Sequence, residues 1–351
     1  MTPVSESPPT VCLTIGDADG IGPEIAVKFL TSPAFSQYVD ADWRVFGDIA
    51  SLRLTAERLG KSLPELDYCE TGSMAGGDLP GVISYRAIEA AVSDIHRLLH
   101  AGGQAVMVTG PIAKEQLARE GYAATGHTEI LQDLANQYWS PENGRAYQSD
   151  MLFVHGPFRL LLLTRHVPLR DVSRTLTVRG VRQSLNTLVA FLVRHAGIPA
   201  PRIAMLGVNP HAGEIVADGV PNEEETILKP AMAAVKDYWQ GEGVAVAFSG
   251  PLPADAFFRG FDAGKPPADA VVATYHDQGL IPFKLLAGMA AVNVTVGLPF
   301  LRTSVSHGTA QDIAGKGIAD TASLEAAVSA ALTLMSHERQ KKDHQSATAG
   351  D

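Results

Sequence analysis

Nine short apolar runs, each closing on small, polar or glycine residues, set the limits on what this chain can become. They are VCLTIG (11–16), WRVFG (43–47), AVMVTG (105–110), MLFVHG (151–156), RLLLLT (159–164), IAMLGVN (203–209), VAVAFSG (244–250), AVVATYH (270–276) and AAVNVTVG (290–297). Runs this short, apolar on both faces, suit strands covered by helices on both sides. Segments with helical spacing separate several of them, for example SYRAIEAAVSDIHRLLHAG (84–102) and VRGVRQSLNTLVAFLVRHAG (178–197). The second closes on a glycine suited to a helix stop. Strands alternating with helices predict an α/β fold with a mostly parallel sheet. No repeat of about 20–50 residues recurs, and no linker cuts the chain, so two lobes are expected rather than two separate beads.

A chain of 351 residues is long enough for a sizeable core in one large domain or two ordinary ones. Its net charge of −10 and lack of a long basic run argue against nucleic acid or an anionic membrane as the main partner. A small anionic substrate, which needs only a few focused cations, stays open. The two cysteines, Cys12 and Cys69, lack metal-binding spacing and suit a reducing compartment. Residues 1–10 lack the charged-then-apolar order of a signal peptide. The longest aliphatic block, LLLL at 160–163, is too short to span a bilayer. The expected location is therefore the cytoplasm.

In open α/β sheets, functional groups gather at the carboxyl ends of strands, and the polar clusters of this chain fall at run ends. TIGDADGIGPEI (14–25) leads into a helix opening at Gly22-Pro23-Glu24. It is not a dinucleotide fingerprint, because the third glycine is missing, and it lacks the Lys of a P-loop. VTGPIAKEQLAREGYAATGHTEIL (108–131) offers Lys114 and then His127 and Thr128 at a helix start, either an anion site or a capping Thr beside an exposed His. LLLLTRHVPL ends in His166, LGVNPHAGE in His211, and TYHDQGL in His276 beside Asp277, with Gly279 read as a turn residue. Three histidines at strand ends allow a metal site with open positions, although spacings of 45 and 65 residues match no local zinc pattern. Metal and plain-turn readings both remain open on the residues alone. KLLAGMAAVNVTVGLPFLRTSVSHGTAQDIAGKG (284–317) carries Lys284, Asn293 and Arg302, a potential phosphate clamp or ordinary surface charge, and a glycine-rich stretch that could cover a nucleotide.

Taken in order, TGPIAK, GHTE, NPHAGE, GPLPAD, YHDQGL and GLPFLRTSVSHGTA resemble the PdxA family, the 4-hydroxythreonine-4-phosphate dehydrogenases of pyridoxal phosphate synthesis, from about residue 11 to residue 335. The resemblance implies a two-lobed α/β/α fold similar to isocitrate and isopropylmalate dehydrogenases, not a Rossmann domain. The expected lobes are 11–130 with 275–335 and 131–274, flanked by flexible tails at 1–10 and 337–351. It implies homodimers with shared active sites, NAD or NADP, and a divalent metal (Zn, Mg, Mn or Co) on His166, His211 and His276, the last reaching into the partner's site. Substrate contacts fall on His127, Thr128, Lys284, Asn293 and Arg302. Lys284 and Asp277 are the candidate catalytic pair, with Asp277 suited to orienting a histidine. No cofactor-binding residue is assigned.

The implied reaction is oxidation of a C3 hydroxyl on a 4-phosphorylated acid, followed by decarboxylation. Three departures bear on the substrate: GDADGIGPE where the family usually has Pro-Ala after Gly-Asp, the longer IVADGVPNEEE (215–225), and Ser306 where Asp is frequent. A 4-phospho-threonate or erythronate dehydrogenase is the alternative within the family. A non-catalytic phosphometabolite-binding protein is the alternative of another class.

Overall fold

All nine apolar runs become strands, and two further strands complete the set among the described residues. This computed structural model describes residues 8–123, 126–140, 144, 146–213 and 222–348, with side chains to residue 337. Part of the 1–10 tail, most of the 215–225 loop and residues 349–351 therefore lie outside the described residues. In chain order the strands are β1 (Thr10–Thr14), β2 (Asp42–Gly47), β3 (Asp67–Glu70), β4 (Ala105–Thr109), β5 (Asp150–His155), β6 (Phe158–Leu162), β7 (Arg202–Leu206), β8 (Ala247–Leu252), β9 (Ala270–Ala273), β10 (Val292–Val296) and β11 (Leu301–Ser304). Two compact units divide at 149/150, 291/292 and 335/336: the first runs to Ser149 and resumes over Val292–Met335, and the second holds Asp150–Ala291 and the chain from Ser336.

In the first unit, β3, β2, β1, β4 and β11 lie side by side and parallel, and β10 joins β11 antiparallel. Every residue of β1 and β4 is buried, as a strand covered on both faces requires. The Pro80–His100 helix supplies one cover, with Ile83, Ala87, Ala91 and Ile95 on one face at the helical period. Pro80 sits in its first turn, where a missing N–H costs nothing, so this helix starts four residues before the periodic pattern at 84.

In the second unit, β6, β9, β7 and β8 are parallel, and β5 pairs antiparallel with β6. The reason is the connection: two residues join β5 to β6, enough for a hairpin but not for the crossover that a parallel pair demands. The Val178–Arg194 helix begins at Thr177, whose Oγ1 accepts from the Gly180 amide at 3.1 Å. The core joins Phe158, Leu160 and Leu162 of β6 with Leu206, Val271 and Phe283. Each such side chain, fully buried, contributes about 1.5–3 kcal/mol.

TYHDQGL departs from its expected form. The chain does not turn at Gly279. A helix opens at His276 and runs to Ala287, with Gly279 inside it. A Cβ on Gly279 would lie 2.8 Å from Ala273 Cβ and 2.9 Å from Leu160, so the glycine lets the helix press against β9 and β6. The closing helix, Ala322–Thr348, continues through 337–348, where the sequence reads as a tail.

Candidate functional site

Three histidine-bearing segments leave adjacent parallel strands of the second unit. His166 follows β6, His211 follows β7, and His276 follows β9. Side chains just upstream stitch the strand ends together. Thr164 Oγ1 donates to the Thr274 carbonyl at 2.7 Å, and Thr274 Oγ1 to the Gly207 carbonyl at 3.3 Å. Gln278 closes the set: its Oε1 accepts from the Thr274 amide at 2.7 Å, and its Nε2 donates to the Gly207 carbonyl at 2.6 Å. Buried polar groups of this kind must be paired, and here the pairing fixes three segments against one another.

The His166 and His276 rings lie 5.9 Å apart, centre to centre. Two imidazoles sharing one ion through Zn–N bonds of about 2 Å hold their centres roughly 5–6 Å apart, so the separation is compatible with a shared divalent cation. His276 Nδ1 is 2.7 Å from Asp277 Oδ1. An ionised carboxylate only accepts, so the proton sits on Nδ1 and the Nε2 lone pair is left for a ligand. His211 stands in a turn with φ of 56°, followed by Ala212 at 51°. That left-handed pair is costly for non-glycine residues. Glu224, 1% exposed, braces the turn by accepting from the Val208 amide at 2.7 Å, the Asn209 amide at 2.8 Å and Asn209 Nδ2 at 2.9 Å. Among the described residues of one chain, no group of three or more His, Cys, Asp and Glu is close enough to hold a metal. Lys284 lies on the His276–Ala287 helix, exposed.

The first unit gathers different chemistry. Arg302 of β11 is 1% exposed, so the surface-charge reading fails for it. Its Nε and Nη2 donate to Thr109 Oγ1 at 3.1 and 2.5 Å, and its Nη1 to Thr295 Oγ1 at 2.8 Å. These hydroxyls satisfy geometry but not charge, and burial pulls the guanidinium down to about 9. His127 opens the helix His127–Tyr138, whose cap is Gly126. Thr128 is therefore not the N-cap; it lies inside the first turn and is buried. Burial, then the charges of Arg302 and Lys114, hold the His127 imidazole well below its usual value, and its Nε2 is buried without a partner. Asn293 of β10 likewise has a buried Oδ1 without a partner. A buried cation lacking a carboxylate, beside a neutral imidazole and a bare helix start, is arranged for an incoming anion.

The glycine-rich stretch after β11 is tied to the first motif at several points. The Ile21 amide donates to the Thr309 carbonyl at 2.9 Å, and Gln311 Nε2 reaches the buried Asp17 carboxylate at 3.4 Å. Glu24 accepts from the Gly317 and Ala319 amides at 3.1 and 2.7 Å, while Lys28 donates to the carbonyls of the same two residues at 2.9 and 2.7 Å. The GDADGIGPE segment thus acts as a brace for that loop. Gly16 has φ of +80°, and a Cβ there would overlap the Pro111 carbonyl, so the first two motifs can approach only through glycine.

Sequence reasoning missed Thr164, Thr274, Gln278 and Glu224. Each lies within or beside a motif, but each has a partner 15 to 110 residues away that no local pattern announces.

The family model described as "Pyridoxal phosphate biosynthetic protein PdxA" matches residues 56–331. The chain is 36% identical to a 4-hydroxythreonine-4-phosphate dehydrogenase of Bradyrhizobium diazoefficiens, covering 92% of this chain and 96% of that protein. It is 39% identical to a D-threonate 4-phosphate dehydrogenase of Cupriavidus necator, again over 92% and 96%. A crystal structure of a 4-hydroxythreonine-4-phosphate dehydrogenase from Klebsiella pneumoniae superimposes with a TM-score of 0.75 at 32% identity, covering 94% of this chain and all of that one. The ordered motifs, the family model and these relatives over nearly the whole length lead to one conclusion: the chain belongs to the PdxA family.

Proposed function

We propose that this protein oxidises the C3 hydroxyl of 4-hydroxythreonine 4-phosphate with NAD+ or NADP+ and releases carbon dioxide to leave 3-amino-2-oxopropyl phosphate, a step toward pyridoxal 5'-phosphate. The observation that carries the reading is the stitched set of strand ends bearing His166, His211 and His276, found in a chain whose relatives are named dehydrogenases. When bound, the divalent cation supplies the Lewis acid and the nicotinamide accepts the hydride. His166, His211 and His276 are its proposed ligands, and Asp277 keeps the His276 proton on Nδ1 so that Nε2 faces the ion. Neutral imidazoles hold a cation without cancelling its charge. Arg302, His127, Thr128 and Asn293 bind and orient the anionic substrate, so that remote binding energy holds C3 in line for hydride loss. Lys284 is the proposed group for moving the proton at the reacting carbon and oxygen. The braced 307–317 loop is the proposed wall for the nucleotide.

The carbon balance is simple. Hydride leaves C3 and a proton leaves its oxygen, giving a β-keto acid. The C1–C2 bond then breaks, carbon dioxide departs, and C2 takes up a proton.

The working form we propose is a homodimer in a reducing cytoplasm. Ile281, Leu285 and Met289 are 58%, 81% and 51% exposed at spacings of four residues along and just past the helix that opens with His276. A second copy seated on that stripe would bring its own groups up to the histidines. No described helix is long and apolar enough to cross a membrane.

The 39% identity to a D-threonate 4-phosphate dehydrogenase favours a second substrate, 4-phospho-D-threonate. Side-by-side kinetics decide, following NADH or NADPH formation on both acids after metal removal and readdition. A higher kcat/KM on the amino acid supports the first reading, and a higher value on the threonate supports the second. Absence of turnover on either, with metal present, would leave only a binding protein.

A further inference from the structure

We propose that Lys114 is the cation that recognises the phosphate monoester of the substrate, an assignment that rests on the dehydrogenase reading above and adds a residue to the site. Lys114 begins the short helix Lys114–Arg119 that follows the Thr109-Gly110-Pro111 turn. A Cβ built on Gly126 would overlap Glu129 Oε2 and lie 3.5 Å from Lys114 Nζ, so the ammonium stands over the opening turn of the His127–Tyr138 helix with the Glu129 carboxylate beside it. That turn has no side-chain cap, and its first N–H groups remain for an external acceptor.

Independent polar groups point to the same ligand chemistry. His127 Nε2 is buried without a hydrogen-bond partner at the start of this turn. Arg302 spends three of its five N–H groups on Thr109 and Thr295, leaving one on each terminal nitrogen. A planar fork of that kind, buried and fixed, suits a two-oxygen group that must be held in one orientation. Lys114 is exposed and carries a compact charge on a flexible stem. It therefore suits a dianion that arrives hydrated and presents oxygens in several directions. A 4-phosphorylated hydroxy acid has two anionic ends, and Arg302 alone cannot neutralise both.

The test compares Lys114→Met, Lys114→Arg and the control Arg119→Gln on a 4-phosphorylated 3-hydroxy acid and its unphosphorylated counterpart. Losing one charge-assisted contact should raise KM for the phosphorylated acid about 10- to 100-fold in Lys114→Met. Its kcat, its KM for the nicotinamide cofactor and its KM for the unphosphorylated acid should stay near wild type. Lys114→Arg should recover most of the loss, and Arg119→Gln should show none. An equal loss on both acids, or an unchanged KM, overturns the assignment. Should the wild type turn over neither acid, the dehydrogenase reading fails separately. Calorimetric titration with inorganic phosphate then decides: binding weakened in Lys114→Met supports the assignment, and equal binding in both proteins overturns it.

Discussion

Asp277 and His127 show how one neighbour sets what a side chain can do. Asp277 accepts from His276 Nδ1 at 2.7 Å, and that contact alone selects the tautomer that leaves Nε2 for a cation. Asp277→Asn keeps the shape but weakens the acceptor, so metal affinity should fall about 10- to 100-fold. Metal titration of the apo-protein would show it, with activity recovering at excess metal and unchanged circular dichroism. His127 is governed by burial first, then by Arg302 and Lys114, all favouring the neutral ring. Its folded value lies below the ordinary 6.5, so under acid the unfolded chain takes up a proton that the native protein refuses. Its environment therefore costs no stability above that pH and progressively more below it. Melting curves from pH 7.5 to 5 should show a steeper acid loss for wild type than for His127→Gln, and parallel curves would contradict the neutral imidazole.

Strand ends and loops carry the constraints that fix the histidines. Gln278, one turn into its helix, joins the end of β9 to the end of β7 through the Thr274 amide and the Gly207 carbonyl. Gln278→Ala strands the Thr274 amide and leaves the Gly207 carbonyl only the longer bond from Thr274 Oγ1, which should cost about 1–3 kcal/mol in urea unfolding. A loss under about 0.5 kcal/mol, ordinary for a surface change, would mean that the loops hold their positions without it. The brace from Glu24 and Lys28 to Gly317 and Ala319 is the corresponding device in the first unit. Gly22-Pro23-Glu24 was legible as a helix start because Pro and Glu suit a first turn. That Glu24 holds a loop near residue 319 was not, because nothing near either segment encodes the other.

The proposed homodimer would rest on the apolar stripe of Ile281, Leu285 and Met289, all exposed in the single chain. Exposed side chains of this size at a helical repeat leave apolar surface that association removes from water. Ile281→Glu with Leu285→Lys should convert a dimer into monomers in analytical ultracentrifugation and abolish dehydrogenase turnover. Each chain should remain folded, because these residues are not part of its core. A double variant that is monomeric and fully active would show that one chain is sufficient.

The apolar runs, read one at a time, already specified nine strands and the α/β class, because strand composition is local; cover on both faces is seen at β1, β4 and β9, whose residues are all buried, but not at the edge strand β8, which has no buried residue. The ordered motifs specified the family for the same local reason: each is a contiguous string. Pairing direction did not follow from the runs, and short links made β5–β6 and β10–β11 antiparallel. Strands β3 and β11 escaped because one is a half-buried edge, DYCE, and the other is a four-residue LRTS with an arginine at its centre. That arginine is the sharpest case. In sequence Arg302 is a charge beside a turn, and only the folding of β4, β10 and β11 around it supplies the two threonines that bury it. Gly279 follows the same logic, a turn signal in sequence and a packing contact against β6 and β9 in the fold. Local composition decides what an element is. Partners brought from 15 to 193 residues away decide what its polar side chains are for, since burial and hydrogen bonding are properties of the folded neighbourhood.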